Sequence, residues 1–260
     1  MYRRFIGGPT IGHAIRRSVG HRWIPIFDYA REGARNVLAK NNYVQRMQED
    51  IPQMLPGSCL AIKASSFYKD MGAIVDVVGL AKERKLNVLF DAEDSSKTGF
   101  EDECVRMLYA CDLPVYKTYQ AYRRDCIHRL MLDLQEGMVN RFKIVRGAYL
   151  KSDLERDKLL YWSKSDVDAC FDDCVDLLVN KPNVQVLIAT HNAQSAMRVP
   201  VGPNVFFAQL LGMADGLTAA LVAKGAQTHK YVPYGSFWET MPYLSRRLVE
   251  NGGLIKYILD

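Results

Sequence analysis

Eight short β-rich runs alternate with longer helical patterns along this chain, and that alternation restricts its fold more than any other feature. The runs are Ile24 to Tyr29, Leu60 to Ala64, Val88 to Ala92, Val115 to Tyr119, Phe142 to Val145, Gln185 to Ala189, Val205 to Gln209 and His229 to Val232. Helical spacing fills Met71 to Lys85, Glu101 to Ala110, Arg124 to Glu136, Asp166 to Val179 and Leu217 to Ala223. Repeated strand and helix imply a parallel sheet, because parallel neighbours need a long crossover. Eight such units in 260 residues predict a distorted (β/α)8, TIM-like barrel, a single domain over residues 1–260. A doubly wound open sheet is the alternative, but no Gly-x-Gly-x-x-Gly follows any run. Ala193 to Asn204 contains Pro200 and Pro203, so a short sixth helix of a turn or two is expected. Residues 1–22 are expected to form a lead-in helix.

Composition excludes several function classes. With 48% hydrophobic and 24% charged residues the chain has the make-up of a globular protein, and no apolar run approaches membrane-spanning length. The net charge of +5 comes from scattered basic residues, which argues against nucleic-acid binding and leaves only weak attraction to an anionic membrane surface. Cys59, Cys104, Cys111, Cys126, Cys170 and Cys174 include no CxxC pair and read as reduced thiols of an intracellular protein. Cys170 and Cys174 sit one helical turn apart, but no His or further Cys lies at matching spacing, so core packing is expected and no metal site. The first 27 residues carry five arginines and no acid, resembling an organelle transit peptide in charge. Against that, Gly7 to Gly12 leads into a plausible helix directly before the first strand.

In a barrel the reactive groups gather at the carboxyl ends of the strands. Lys63 ends the second run, Asp91 and Glu93 the third, and Gln120 follows the fourth. Arg146-Gly147-Ala148-Tyr149 follows the fifth, Thr190-His191-Asn192 the sixth, Gln209 to Met213 the seventh, and Tyr231 lies in the eighth. Singly each has an ordinary explanation: Lys63 with Asp91 as a buried ion pair, Gln120 as a cap, Gly147 as a turn. Polar groups at seven consecutive ends are harder to explain, since each would cost free energy to bury without a ligand.

The tail adds an anion clamp. Met241, Leu244 and Leu248 mark a helix stopped by Asn251-Gly252-Gly253. Tyr243, Arg246, Arg247 and Glu250 share or border one of its surfaces, and paired guanidiniums suit bidentate binding of a small carboxylate.

Asp91-Ala92-Glu93-Asp94, Thr118 to Tyr122, Val145 to Leu150, Ala189 to Asn192, Gln209 to Met213 and the Lys230 to Asn251 tail together resemble proline dehydrogenases, in family order over nearly the whole chain. The resemblance implies a barrel that binds FAD non-covalently, oxidises L-proline to Δ1-pyrroline-5-carboxylate and passes electrons to a quinone, usually at a membrane surface. It implies that Arg246 and Arg247 hold the proline carboxylate, with Lys63 assisting and Asp91 set against Lys63. Tyr149, Leu210, Tyr231 and Tyr243 would wall the proline ring. Gln120 would lie at the flavin's reactive edge, with Lys143 near N5. Ala92, Val145, Arg146, Gly147 and Ala148 would run along the cofactor, and Thr190, His191, Asn192 and Glu250 would complete its site. Asp91, Lys63 and Lys143 are the implied catalytic set, with no dedicated general base. The family setting implies an intracellular enzyme, mitochondrial in a eukaryote, and cytoplasmic or peripheral to the inner membrane in a bacterium. Two other readings stay open: a hydroxyproline dehydrogenase on the same scaffold, and a non-catalytic barrel that has lost flavin. A phosphate-binding barrel enzyme is remote, because no Gly-rich loop follows the seventh and eighth runs.

Overall fold

Side chains alternate across the strands, and the two faces bury in different places. Outward residues such as Phe27, Ile62, Phe90, Phe142, Ile188 and Phe207 form the core between sheet and helices. Inward residues such as Ile26, Ala61, Leu89, Leu187, Ala208 and Tyr231 form a second, narrower cluster inside the sheet. Both faces are apolar, which is the pattern of a parallel sheet covered on both sides. Each fully buried Phe or Ile contributes about 1.5–3 kcal/mol.

In a computed structural model, residues 2–31, 33–149, 153, 160–161 and 163–250 are described, apart from the side chains of 2 and 246–250. The strands are β1 (Ile24–Tyr29), β2 (Cys59–Lys63), β3 (Asn87–Asp91), β4 (Tyr116–Gln120), β5 (Arg141–Val145), β6 (Gln185–Ala189), β7 (Val205–Leu210) and β8 (Gln227–Tyr234). All pair in parallel in sequence order, and β8 returns to β1, with Ile26 opposite Tyr231, to close the barrel. Two expected runs, Ile24 to Tyr29 and Gln185 to Ala189, are met as given, five differ by one residue, and β8 extends by two residues at each end, through Pro233. That proline sits opposite Asp28, and its carbonyl accepts from Gly7 N at 2.7 Å.

Helices α1 (Ile11–Ser18), α2 (Val37–Asp50), α3 (Met71–Glu83), α4 (Thr98–Ala110), α5 (Cys126–Glu136), α6 (Lys164–Val179), α7 (Ala193–Met197), α8 (Asp215–Ala223) and α9 (Phe237–Glu250) connect or flank the strands. Several begin at side-chain caps: Asn36, Asp70 and Ser163 accept from backbone N–H groups of α2, α3 and α6. The sixth strand is followed by the short α7, five residues long, as the two prolines require. Within the lead-in segment 1–22 the helix is α1, preceded by a 3-10 turn at Tyr2–Arg4. Gly7 and Gly8 divide them: Gly8 has φ +129, and a Cβ on Gly7 would approach Val232 to 2.7 Å.

Two helices depart from a regular barrel. Ile11 and Ala14 of α1 join the outer core beside Val232, the flank that a final helix ordinarily covers. The last helix, α9, instead places Tyr243 in the inner cluster, so it lies across the barrel mouth. Its start is fixed to β1: Glu239 accepts from Ser236 N at 2.8 Å and from the Tyr29 hydroxyl at 2.5 Å. Among the described residues, no helix is long and apolar enough to cross a membrane.

Candidate active site

The carboxyl ends of β3 to β8 open on a cavity of about 400 Å³. Alternation decides which groups face it. Phe142 and Ile144 pack outward, so Lys143 and Val145 point in; Lys117 pairs with Asp102 and Asp133 of the outer helices, so Thr118 and Gln120 point in.

Asp91 and Lys143 form the charged floor, Nζ to Oδ1 at 2.5 Å, and the other Asp91 oxygen accepts from the Tyr231 hydroxyl at 2.5 Å. The Lys143 ammonium also lies 5.1 Å from the centre of the Tyr231 ring. Burial alone would raise the Asp91 pKa, but the nearby Lys143 and Lys63 ammoniums and the hydrogen bonds outweigh it and hold the carboxyl below its usual range. The Tyr231 phenol moves the opposite way, well above its ordinary value, through burial and the negative charges of Asp28 and Asp91.

Lys63 is buried opposite Asp91 on the neighbouring strand, and its charge helps hold the Asp91 carboxyl below its usual range. Its ammonium pairs with Asp28 of β1 at 2.7 Å, while Asp91 is taken by Lys143. Lys63 lies below the roof, 5.9 Å from the centre of the Tyr243 ring, and outside the described wall of the cavity. Tyr243 in turn stacks on Tyr231, with ring planes 3° apart and centroids at 6.5 Å. Asp28, Lys63, Asp91 and Lys143 thus make two cation–carboxylate pairs whose charges balance.

The rim is built from backbone turns and struts. Gln120 donates to the Glu93 carbonyl at 2.8 Å, and its oxygen faces Ala148 N at 3.4 Å. Glu93 itself accepts from both the backbone and the hydroxyl of Ser65, tying the β2 and β3 loops together. Gly147 is required: its φ is +125, and a Cβ there would come within 1.5 Å of the Tyr122 ring. Arg146 spans three elements, bonding Asp168 of α6 at 2.5 Å, the Thr190 hydroxyl at 2.6 Å and Ser195 of α7 at 2.9 Å, with its guanidinium 4.3 Å from the Phe171 ring. His191 Nε2 accepts from Leu210 N at 3.0 Å, which puts the proton of a neutral ring on Nδ1. The Asn192 side chain caps α7 by accepting from Gln194 N and Ser195 N.

The cavity wall therefore joins Asp91, Ala92, Gln120, Lys143, Val145 to Ala148, Thr190 to Asn192, Leu210, Tyr231 and Tyr243, all expected from sequence. Tyr149 is half-buried on the loop after β5 and is not among the described wall residues. Arg246, Arg247 and Glu250 lie on α9, and their side chains fall outside the described residues. Sequence reading gave no site role to Asp28, Thr118 and Gln209, although it placed Thr118 within a family motif and Gln209 at the seventh strand end. The first two were findable by period two: Asp28 follows inward Ile26, and Thr118 precedes inward Gln120. Gln209 is held by Thr218 of α8 at 2.9 Å, a contact between distant segments that leaves no local signal.

Comparison with known proteins converges on one family. A sequence model described as proline dehydrogenase matches residues 13–256. The chain is 33% identical to proline dehydrogenase 1, mitochondrial, of Arabidopsis thaliana over 217 residues, covering 71% of this chain and 43% of that protein. It is 34% identical to hydroxyproline dehydrogenase of Bos taurus over 244 residues, covering 80% of this chain and 52% of that protein. The chain thus spans about half the length of these relatives, or less. The fold superposes on proline utilization A from Bdellovibrio bacteriovorus, inactivated by N-propargylglycine, with a TM-score of 0.85 and 20% identity, over 96% of this chain and 32% of that one. With the closed barrel, the roofing helix and a match over almost all of its sequence, the chain belongs to the proline dehydrogenase family.

Proposed function

We propose that this barrel oxidises L-proline to Δ1-pyrroline-5-carboxylate with non-covalently bound FAD, and that a quinone receives the electrons. The observation that carries this reading is the charge-balanced floor beneath an aromatic roof at the strand ends. The residues present fit a flavin: Ala92, Gly147, Ala148, Ala189 and Ala208 leave flat, open wall, and the hydrogen-bonding ends of Gln120, Lys143, Thr190 and His191 border it. Val145, Arg146, Asn192 and Glu250 complete the proposed cofactor set. When bound, such a group supplies the hydride acceptor.

The chain's own residues then bind and orient. Arg246 and Arg247 on α9 hold the substrate carboxylate, with Lys63, paired to Asp28 beneath the roof, assisting. Tyr231 and Tyr243 wall the ring with Leu210, and Tyr149 is proposed to close on it from the β5 loop. A small rigid ring held at its carboxylate presents one carbon in a fixed direction. Lys143 offers a cation where negative charge builds up on reduction. Asp91, held below its usual pKa, is a weak base, so the amine proton goes to water.

The matched span and the closed barrel support reading 1–260 as one domain. The relatives named mitochondrial support an organelle setting if the source is eukaryotic; for a bacterial source the proposal is a cytoplasmic or membrane-peripheral setting.

The deciding experiment is the visible spectrum of FAD-loaded protein under anaerobic conditions with L-proline. Bleaching is expected. Unchanged colour with proline but bleaching with hydroxyproline selects the second reading, with which the 34% identity to hydroxyproline dehydrogenase is compatible. No flavin uptake after reconstitution selects a non-catalytic barrel. Arg246→Ala and Arg247→Ala should each raise KM for proline by roughly 10–100-fold while flavin content holds, the weight of a charge-assisted hydrogen bond. Loss of flavin with KM intact would overturn the arginine assignment.

A further inference from the structure

Three sulfurs meet on the side of the barrel between α5 and α6. Cys126 is the first residue of α5, and Cys170 and Cys174 lie one turn apart on α6. All three are buried, the Cys126 and Cys174 Sγ atoms are 3.7 Å apart, and the three Sγ atoms lie within 4.8 Å of one another. We propose that Cys126, Cys170 and Cys174 form a three-thiolate site for a soft monovalent ion, Cu(I), separate from the cavity at the strand ends.

The spacing suits an ion at the centre. A metal–sulfur bond of about 2.3 Å places three sulfurs in a plane about 4 Å apart, close to the separations seen. Sulfur without nitrogen or oxygen selects soft ions. Zinc would require a fourth ligand, and among the described residues no His, Asp, Glu or further Cys joins the group. Cu(I) is satisfied by three sulfurs and stays at the same oxidation state throughout. Each thiol that binds as thiolate exchanges its proton for a bond to the ion, and the proton leaves to solvent. The other described cysteines differ: Cys59 and Cys104 stand apart from the group, and Cys111 is exposed.

The site is tested by anaerobic titration of the intact protein with Cu(I) in competition with a chromogenic Cu(I) chelator. One equivalent should bind. Cys126→Ser, Cys170→Ser and Cys174→Ser should each weaken it by at least about tenfold, and Cys111→Ser should not. X-ray absorption on the unsubstituted protein should show three sulfur neighbours, a readout that does not depend on the variants folding. Absence of competitive binding, binding lost only with Cys111→Ser, or a copper with nitrogen or oxygen neighbours would each overturn the proposal.

Discussion

Gly147 shows how much a single residue contributes. Its neighbours Arg146 and Ala148 line the cavity, and its missing side chain leaves room for the Tyr122 ring, whose hydroxyl donates to Asp153 at 2.5 Å. Gly147→Ala adds a methyl into that ring at a φ of +125, a conformation that disfavours any Cβ. A loss of about 2–3 kcal/mol is expected, together with reduced flavin retention, read by thermal melting and by the absorbance of purified protein. Alanine with unchanged melting and full flavin would show that the loop relaxes without cost. The glycine was legible in sequence as a turn, but its true partner, Tyr122, was not, because that contact joins the loops after two different strands. The same limit applies to Lys63: sequence named the charged residues at the ends of β2 and β3, but the ion pair of Lys63 with Asp28 on the adjacent β1 joins strands far apart in the chain.

Among the elements, α9 is the one whose position matters most. In sequence it was recognisable by its apolar spacing, but not as a roof, since a helix that caps the mouth and one that packs on the flank carry the same periodicity. Its start lies several residues earlier than the apolar repeat suggests, because Ser236 and Glu239 supply a capping arrangement ahead of the first buried residue, while the expected stop at Asn251-Gly252-Gly253 lies outside the described residues. Glu239 also accepts from Tyr29, so one carboxylate both starts the helix and ties it to β1. Glu239→Ala should therefore free the first turns of α9 by about 1–3 kcal/mol without unfolding the barrel. Hydrogen exchange would show faster exchange at residues 239–245 and unchanged protection in β1 to β8. Equal loosening of strands and helix would mean that the roof and barrel unfold as one.

For the whole molecule, acid–base balance sets the range over which the barrel is most stable. Glu101 of α4 is buried and accepts from Glu93 N at 2.8 Å. Burial raises its pKa to about 8, the bond from Glu93 N opposes this, and the Glu93 and Asp102 charges add to it. The unfolded chain ionises this group near its ordinary value, so between pH 4.5 and about 8 the unfolded state binds fewer protons than the folded one, and stability falls as pH rises. Glu101→Gln keeps an oxygen acceptor and removes the charge. It should raise stability at pH 8 by a few kcal/mol, at most about 5, and change little at pH 4, as measured by denaturant unfolding at both values. An equal gain at both pH values would point to packing instead of ionisation. The eight-unit architecture was legible because binary patterning repeats along the chain, whereas buried charges such as Glu101 are set by neighbours that only the finished fold brings close.

The return of β8 to β1 bears on how such a protein comes into being. Ile26 waits for Tyr231, near the opposite end of the sheet's sequence, before the barrel can shut. Until then β1 presents an unpaired edge, and Asp28 and Lys63 stand beside a half-built wall. Long-range closure of this kind makes folding slow and exposes the growing chain to mispairing. Because Tyr243 of α9 packs into the cluster inside the ring, an intermediate in which β8 had not met β1 would have strands and helices but no roofed cavity for a ligand.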